Sequence, residues 1–196
     1  MKDTSSEFES VFARRHPVAL DALVEHAFVK VVGTVRAIDE PLTAPLSGRP
    51  CVYYAFTIEE KVSFGDWAEV VRDEQGEVVI ADEGGRVRIE MEFAERDLSN
   101  HASEEVTGPF HGPSDALEVA FARYEVEGGS SLTHAYRAIE YVIEPGDILV
   151  AAGIVHTEPD PEGGAGEGFR DARKRFVLRS PNEGALYVSD APSFRT

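Results

Sequence analysis

A single cysteine among 196 residues excludes any intrachain disulfide, a Cys-rich zinc site and a CxxC redox pair. That scarcity suits a reducing compartment. Basic residues are also few, with 19 Lys and Arg against 36 Asp and Glu, a formal charge of −17. Such a field repels phosphate backbones and anionic leaflets over a Debye length of about 8 Å, which argues against nucleic acid and lipid surfaces as partners. No stretch approaches the roughly 20 apolar residues of a membrane span, and the opening MKDTSSEFES has no apolar core of the secretory-signal kind. The expectation is a cytoplasmic, soluble chain without direct membrane insertion. Its acidic surface serves solubility, or meets a cationic protein or a weakly held divalent cation.

Catalytic signatures are missing too. There is no GxSxG elbow between strand and helix, and no GxxxxGK[ST] or GxGxxG phosphate cradle. The run Gly163-Gly164-Ala165-Gly166 lies among acids that would repel phosphate. The histidines His16, His26, His101, His111, His134 and His156 show no HxxxH or HxH spacing, and only His101 and His111 share a loop. Glu59 with Glu60, and Glu104 with Glu105, are adjacent in sequence and not paired across a site, so acid–base work by two carboxylates is unsupported. No catalytic residue, metal or cofactor is assigned.

What the chain has is strand character. Its 42% hydrophobic and 28% charged residues are ordinary for a globular protein of one core. Phe8 and Phe12, at i,i+4 spacing before Pro17, predict a short N-terminal helix over 7–15. Residues 28–38, FVKVVGTVRAI, alternate as a strand with a bulge or bend at Gly33. Strands are predicted over 51–63, then over 69–72 and 77–81 around an Asp73–Gly76 turn, and again through VRIEMEF at 87–93, together a β meander. Residues 100–112 are expected to be loop, and Ser114 to cap a helix from Asp115 to about Glu125 with Leu117, Phe121 and Tyr124 on one face. Segments 135–143 and 147–155 read as a hairpin joined by Glu144-Pro145-Gly146 in a type II turn. Residues 157–168, TEPDPEGGAGEG, are expected to form a surface loop, and the last strands lie at 175–179 and 186–189.

Many short strands with one helix between strand groups predict a mainly β fold, an OB-like antiparallel barrel with one inserted helix and a short N-terminal helix. A β-sandwich with a covering helix is the alternative. The organisation expected is an N-terminal helical segment at 1–26, one β domain at 27–190 and a tail at 191–196.

The run PLTAPLSGRPCVYY at 41–54, Trp67, DEGGRVRIEM, AIEYVIEPGDILVAAGIV and the late ALYVSD occur in an order that resembles the GIDE domain, also called BAM or "beside a membrane". That family includes the part of a mitochondrial outer-membrane E3 ubiquitin ligase between its two spans, and many prokaryotic proteins. The resemblance covers about residues 27–190 and implies a β-rich, noncatalytic domain that binds protein partners or ligands. One cysteine cannot build a RING finger, and no apolar spans flank the domain, so neither ligase activity nor membrane residence carries over.

The candidate binding residues are Arg49, Tyr53, Tyr54, Trp67 and Arg137. Arg49 suits bidentate oxyanion binding, or a local pair with an acid. Tyr53 and Tyr54 are expected on opposite faces of a strand, so that at most one is core. Trp67, in a turn after Phe64-Gly65-Asp66, is either exposed for binding or folded over a barrel end. Cys51 has no sequence-adjacent histidine and reads as a structural thiol. The function expected is a binding module for an unknown protein partner or small ligand. The alternative is an enzyme or small-ligand sensor with Arg49, His101, His111 or Arg137 converging at a barrel mouth.

Overall fold

Alternation of β-branched and polar residues produces strands through most of the chain, and a computed structural model describes residues 4–62, 65–108, 110–127, 134–160, 174–182 and 184–196. Helix α1 (Thr4–Ala13) is followed by β1 (Phe28–Arg36), β2 (Leu42–Thr43), β3 (Pro50–Cys51), β4 (Tyr53–Lys61), β5 (Trp67–Gly76), β6 (Val78–Asp82), β7 (Gly85–Ile89), β8 (Ala94–Asp97) and β9 (Ala102–Val106). Helix α2 (Asp115–Arg123) then precedes β10 (Tyr136–Ile143), β11 (Ile148–Pro159), β12 (Lys174–Arg179) and β13 (Leu186–Ser189). The contacts group these elements into two compact units. One comprises Met1–Ile38, Glu77–Asn100 and Pro145–Thr196, and the other Asp39–Gly76 and His101–Glu144.

The first unit is a closed five-stranded barrel in the order β1-β6-β7-β12-β11, with β11 returning to β1. Closure is what decides for a barrel over a sandwich. Its pairings are antiparallel except for β7 with β12, which run parallel. On one edge β11 pairs with β1, and on the other with β13 and then with β12. Gly153 stands where those two partners meet, and a Cβ there would lie 2.7 Å from Leu186 Cδ1 and 2.8 Å from the Arg179 carbonyl oxygen. Gly33 forms no bulge. Its register is continuous, and it serves close approach, because a Cβ would lie 2.5 Å from Ile80 Cγ2.

Alternate residues on one face of β1 and β11, Val29, Val31, Val35, Leu149, Ala151 and Val155, are buried, as are Val78, Ile80, Val87, Ile89 and Leu178 from the other barrel strands. On the opposite face of β11, Val150 and Ala152 pack beneath α1, whose Phe8 meets Tyr187 edge-on at 5.3 Å. Lys30 is 1% exposed there. Its Nζ donates to the carbonyls of Phe12 (3.2 Å) and Thr196 (2.6 Å), and burial lowers its pKa.

A lattice of ion pairs ties β7, β11 and β12 together. Glu158 accepts from Arg88 Nε and Nη2 (2.7 and 2.8 Å), from Arg175 Nε (2.8 Å) and from Arg179 Nη2 (3.4 Å). Arg175 Nη1 also reaches Glu77 (2.7 Å), and Arg179 Nε reaches Glu90 (3.1 Å). The bonds from Arg88, aided by Arg175, hold the Glu158 carboxyl below its ordinary range against the cost of burial.

The second unit is a four-stranded antiparallel sheet, β5-β4-β10-β9, with α2 packed on one face. Ser114 caps α2 as expected, accepting from the Leu117 N–H at 3.2 Å. Leu117, Ala120 and Phe121 pack with Tyr54, Phe56, Ile58, Tyr136, Ala138 and Val142. Both sheet edges carry acids, and β5 has a bulge opposite Ile58 and Glu59 that leaves Val70 without a partner on β4, which discourages edge-to-edge pairing.

Several local expectations change. Asp73–Gly76 is not a turn, because β5 pairs with β4 as far as Gly76 opposite Tyr53. Gly76 has φ 106°, and a Cβ would stand 2.0 Å from the Val52 carbonyl oxygen, so the glycine serves close packing within the sheet. Residues 102–106, expected as loop, form the edge strand β9; an acidic edge gives no apolar alternation to read. Strand β7 stops at Ile89, and Met91–Phe93 make a 3-10 turn that leaves Phe93 exposed. Finally, β10 and β11 flank a Pro145-Gly146 turn with Gly146 at φ 98°, but they do not pair with each other. Each is saturated on both edges by other strands, so turn chemistry here reverses the chain without making a hairpin. The expected loop at 157–168 begins as the end of β11 through Pro159, and residues 161–168 lie outside the described residues.

Replacing Glu158 with Gln removes the charge that three arginines share, and we expect a loss of about 3 kcal/mol in stability to urea. Equilibrium unfolding of the variant beside the wild type measures it. An unchanged midpoint would show that the lattice contributes nothing.

Candidate functional site

The turn inside LTAPLSGRPC is built on a buried carboxylate. Strands β2 and β3 pair Leu42 with Cys51 and Thr43 with Pro50, and the turn closes through Ala44 N–H to the Arg49 carbonyl and Gly48 N–H to the Ala44 carbonyl, both 3.0 Å. Gly48 takes φ 67°, which favours glycine. Glu140 of β10, 0% exposed, accepts the Leu46 N–H on Oε1 (2.6 Å) and the Ser47 N–H on Oε2 (3.1 Å). Two backbone donors thus compensate a carboxylate that burial alone would penalise.

Arg49 clips the same turn. Its Nη1 lies 3.2 Å from Glu144 Oε1 and its Nε donates to Ser47 Oγ at 3.3 Å. This is the local acid pair that the sequence allowed. Cys51 is fully buried with Sγ 3.7 Å from the Leu42 carbonyl; burial, with Glu140 and Glu144, pushes the thiol pKa up against the pull of Arg49. A thiol so placed is a packing group and a poor nucleophile.

Tyr53 and Tyr54 are both core, at 2% and 1% exposure, where one buried ring was the most expected. Alternation does send the two rings to opposite faces, but β4 is an inner strand of its sheet and both of its faces are covered here. Each hydroxyl has a carboxylate, Tyr53 donating to Glu74 Oε2 (3.1 Å) and Tyr54 to Asp73 Oδ2 (2.8 Å). Asp73 Oδ2 also accepts from Tyr124 (2.5 Å) at the end of α2, and Gln75 Nε2 donates to Oδ1 (3.2 Å). Burial works against the Asp73 charge, but the bonds from Tyr124, Tyr54 and Gln75 outweigh it and its pKa falls below the ordinary value. Burial first, and Asp73 second, push the Tyr54 and Tyr124 phenols up.

Trp67 is the first residue of β5, paired with Lys61, and is half-buried. The Arg137 guanidinium lies 4.9 Å from the centre of its ring, and Arg137 Nε donates to Glu59 Oε2 at 2.6 Å. Indole, guanidinium and carboxylate make one platform on adjacent strands. His134 and Glu60 form a neighbouring pair.

These five residues do not make one site. Arg49, Tyr53 and Tyr54 belong to one end of the β4–β10 pair, and Trp67 with Arg137 to the other, roughly 20 Å away at about 3.3 Å per residue. His101 lies in a 3-10 turn and His111 is bridged to Gly108. Among the described residues no three His, Cys, Asp or Glu side chains are grouped to hold a metal ion.

Sequence reasoning passed over Glu140 and the Asp73 hub. Glu140 had a readable signal, an acid on the face of β10 that otherwise carries Tyr136, Ala138 and Val142. Asp73 had none, since its partners come from distant segments.

Glu140→Ala orphans two backbone N–H groups and should cost about 2–4 kcal/mol, with Glu140→Gln losing less because an acceptor remains. Urea unfolding of the two variants compares them, and equal losses would sink the assignment. Asp73 has a native pKa below its unfolded value of 3.8, so its contribution is complete above pH 3.8 and disappears as pH falls through the lowered native value. Stability measured from neutral pH down to this range should fall less steeply in Tyr124→Phe than in the wild type; parallel curves would contradict the hub. No protein-family model, no curated protein and no solved structure matches this chain.

Proposed function

We propose that the chain is a noncatalytic binding module of the GIDE type, whose Trp67–Arg137–Glu59 platform recognises a protein partner in the cytoplasm. The observation that carries the reading is that platform: a half-buried indole and a guanidinium held together on the two strands that flank β4, the residue types that concentrate binding energy at interfaces. The other polar groups weighed in this unit are occupied internally, Arg49 by Glu144, Glu140 by a turn and Asp73 by two phenols. The spans 39–76 and 101–144 carry 16 acidic residues against 5 basic ones, which suits a partner with a cationic rim.

Two further features support the family reading. Numbering the barrel strands along the chain gives the order 1-2-3-5-4-1 with 3 and 5 parallel, which supports reading the barrel as OB-like. The segments behind the resemblance also engage each other, since Glu140 and Glu144 of AIEYVIEPGDILV hold the LSGR turn. The enzyme alternative draws no support from Arg49 and Arg137, which hold different acids at opposite ends of β10.

Affinity capture from source-cell lysate, followed by titration with the captured partner, tests the reading. Trp67 is the sole tryptophan, so its fluorescence reports directly on the platform. Trp67→Ala and Arg137→Ala should weaken binding about tenfold or more, the cost of a hot-spot residue, while Arg49→Ala leaves it intact. Equal binding by all three variants, or turnover of a small substrate, would overturn the proposal.

A further inference from the structure

Five of the 19 basic residues stand on two neighbouring strands that contain no acid: Arg86 and Arg88 on β7, and Lys174, Arg175 and Arg179 on β12. Acids from flanking segments neutralise most of this stripe. Arg88 and Arg179 are taken by Glu158 and Glu90, and Arg86 Nη2 holds both oxygens of Asp160 at 2.9 and 2.7 Å. Neutralisation is incomplete at one end. Among the described residues Arg175 is engaged through Nε and Nη1 and no partner meets its Nη2, while Lys174 makes no ion pair or hydrogen bond and feels Glu25 only at longer range.

That end opens onto a cleft of about 230 Å³, lined by Arg86, Lys174 and Arg175, with Leu20 and Phe176 as apolar walls. Asp21 and Asp160 also line it, so the described lining residues are net positive by one charge in a chain of net charge −17. Glycine at 84 lets the 3-10 turn Leu20–Ala22 form one wall, because a Cβ there would lie 3.1 Å from the Asp21 nitrogen.

We propose that this cleft binds a small ligand bearing an oxyanion, its head on Lys174 Nζ and Arg175 Nη2 and its apolar part against Phe176 and Leu20. Guanidinium and ammonium groups on residues that line a concave, partly apolar space provide charge and hydrogen-bond donors for such a head. The volume lies below the roughly 300 Å³ at which drug-sized pockets begin, which favours a compact molecule over a larger cofactor. Carboxylate and phosphate share the chemistry that these donors recognise. The cleft lies in the barrel unit, and the proposal is independent of the Trp67 platform.

Amide chemical shifts of the isotope-labelled full chain at low salt, titrated with inorganic phosphate, phenyl phosphate and benzoate, test it. Expected are shifts confined to residues 84–86 and 174–176, with phenyl phosphate or benzoate binding more tightly than inorganic phosphate and saturating by about 10 mM, a weak but specific affinity. A preference for phenyl phosphate identifies the head as phosphate, and one for benzoate as carboxylate. Lys174→Gln should weaken the better probe about tenfold without moving the urea midpoint, and Arg175→Lys should weaken it while keeping a charge in the lattice. Shifts scattered over the surface, no saturation with any probe, or equal affinity in Lys174→Gln would overturn the site. Arg49→Gln, in the other unit, should leave the titration unchanged, and a change there would also count against the cleft.

Discussion

The barrel depends on one carboxylate shared by three guanidinium groups. Parallel pairing of β7 with β12 sets their arginines side by side, and two like charges about 5 Å apart repel by about 3 kcal/mol at an effective dielectric near 20. Glu158 reaches Arg88, Arg175 and Arg179 from β11 and turns that repulsion into cross-strand attraction. It does so at the ring's one parallel pairing, where the chain supplies no hairpin to hold the strands together. Glu77 and Glu90 add further pairs at the lattice margins.

The second unit follows the same rule with different chemistry. Glu140 is fully buried and Asp73 mostly so, and each is held by protein donors: backbone N–H groups for Glu140, and two phenols with the Gln75 amide for Asp73. These bonds set the LSGR turn against β10 and the end of α2 against β5. A fully satisfied polar network in a low-dielectric setting specifies one arrangement more sharply than apolar contact alone. The groups so used are withdrawn from chemistry, which is why the proposed recognition rests on the half-buried Trp67 and Arg137.

The extent of the fold that could be read from residues depended on range. Strand alternation in FVKVVGTVRAI, the Ser114 cap, the Phe8 and Phe12 spacing and the Pro145-Gly146 reversal are local, and each appears in the structure. Strand partners are not local. The pairings of β10 and β11 are set by which strands cover their edges, and nothing in EPGD encodes that. Gly76 misled because one residue type serves both turns and tight packing, and only the Val52 carbonyl beside it distinguishes the two. For the candidate site, five residues chosen by type fell at two ends of one sheet. The acid on the apolar face of β10 was readable, whereas the Asp73 hub needed the tertiary structure.

The barrel's connectivity has a temporal consequence. Its first three strands are complete by Ile89, while its closing strands β11 and β12 emerge only after residues 101–144. During synthesis from the N-terminus the sheet of the second unit therefore has every strand in hand by Ile143, before the barrel possesses either of the strands that join its two ends. The open three-stranded meander must wait through that interval with two unpaired edges, and the long sequence separation between β1 and β11 makes ring closure the slow, late event of folding.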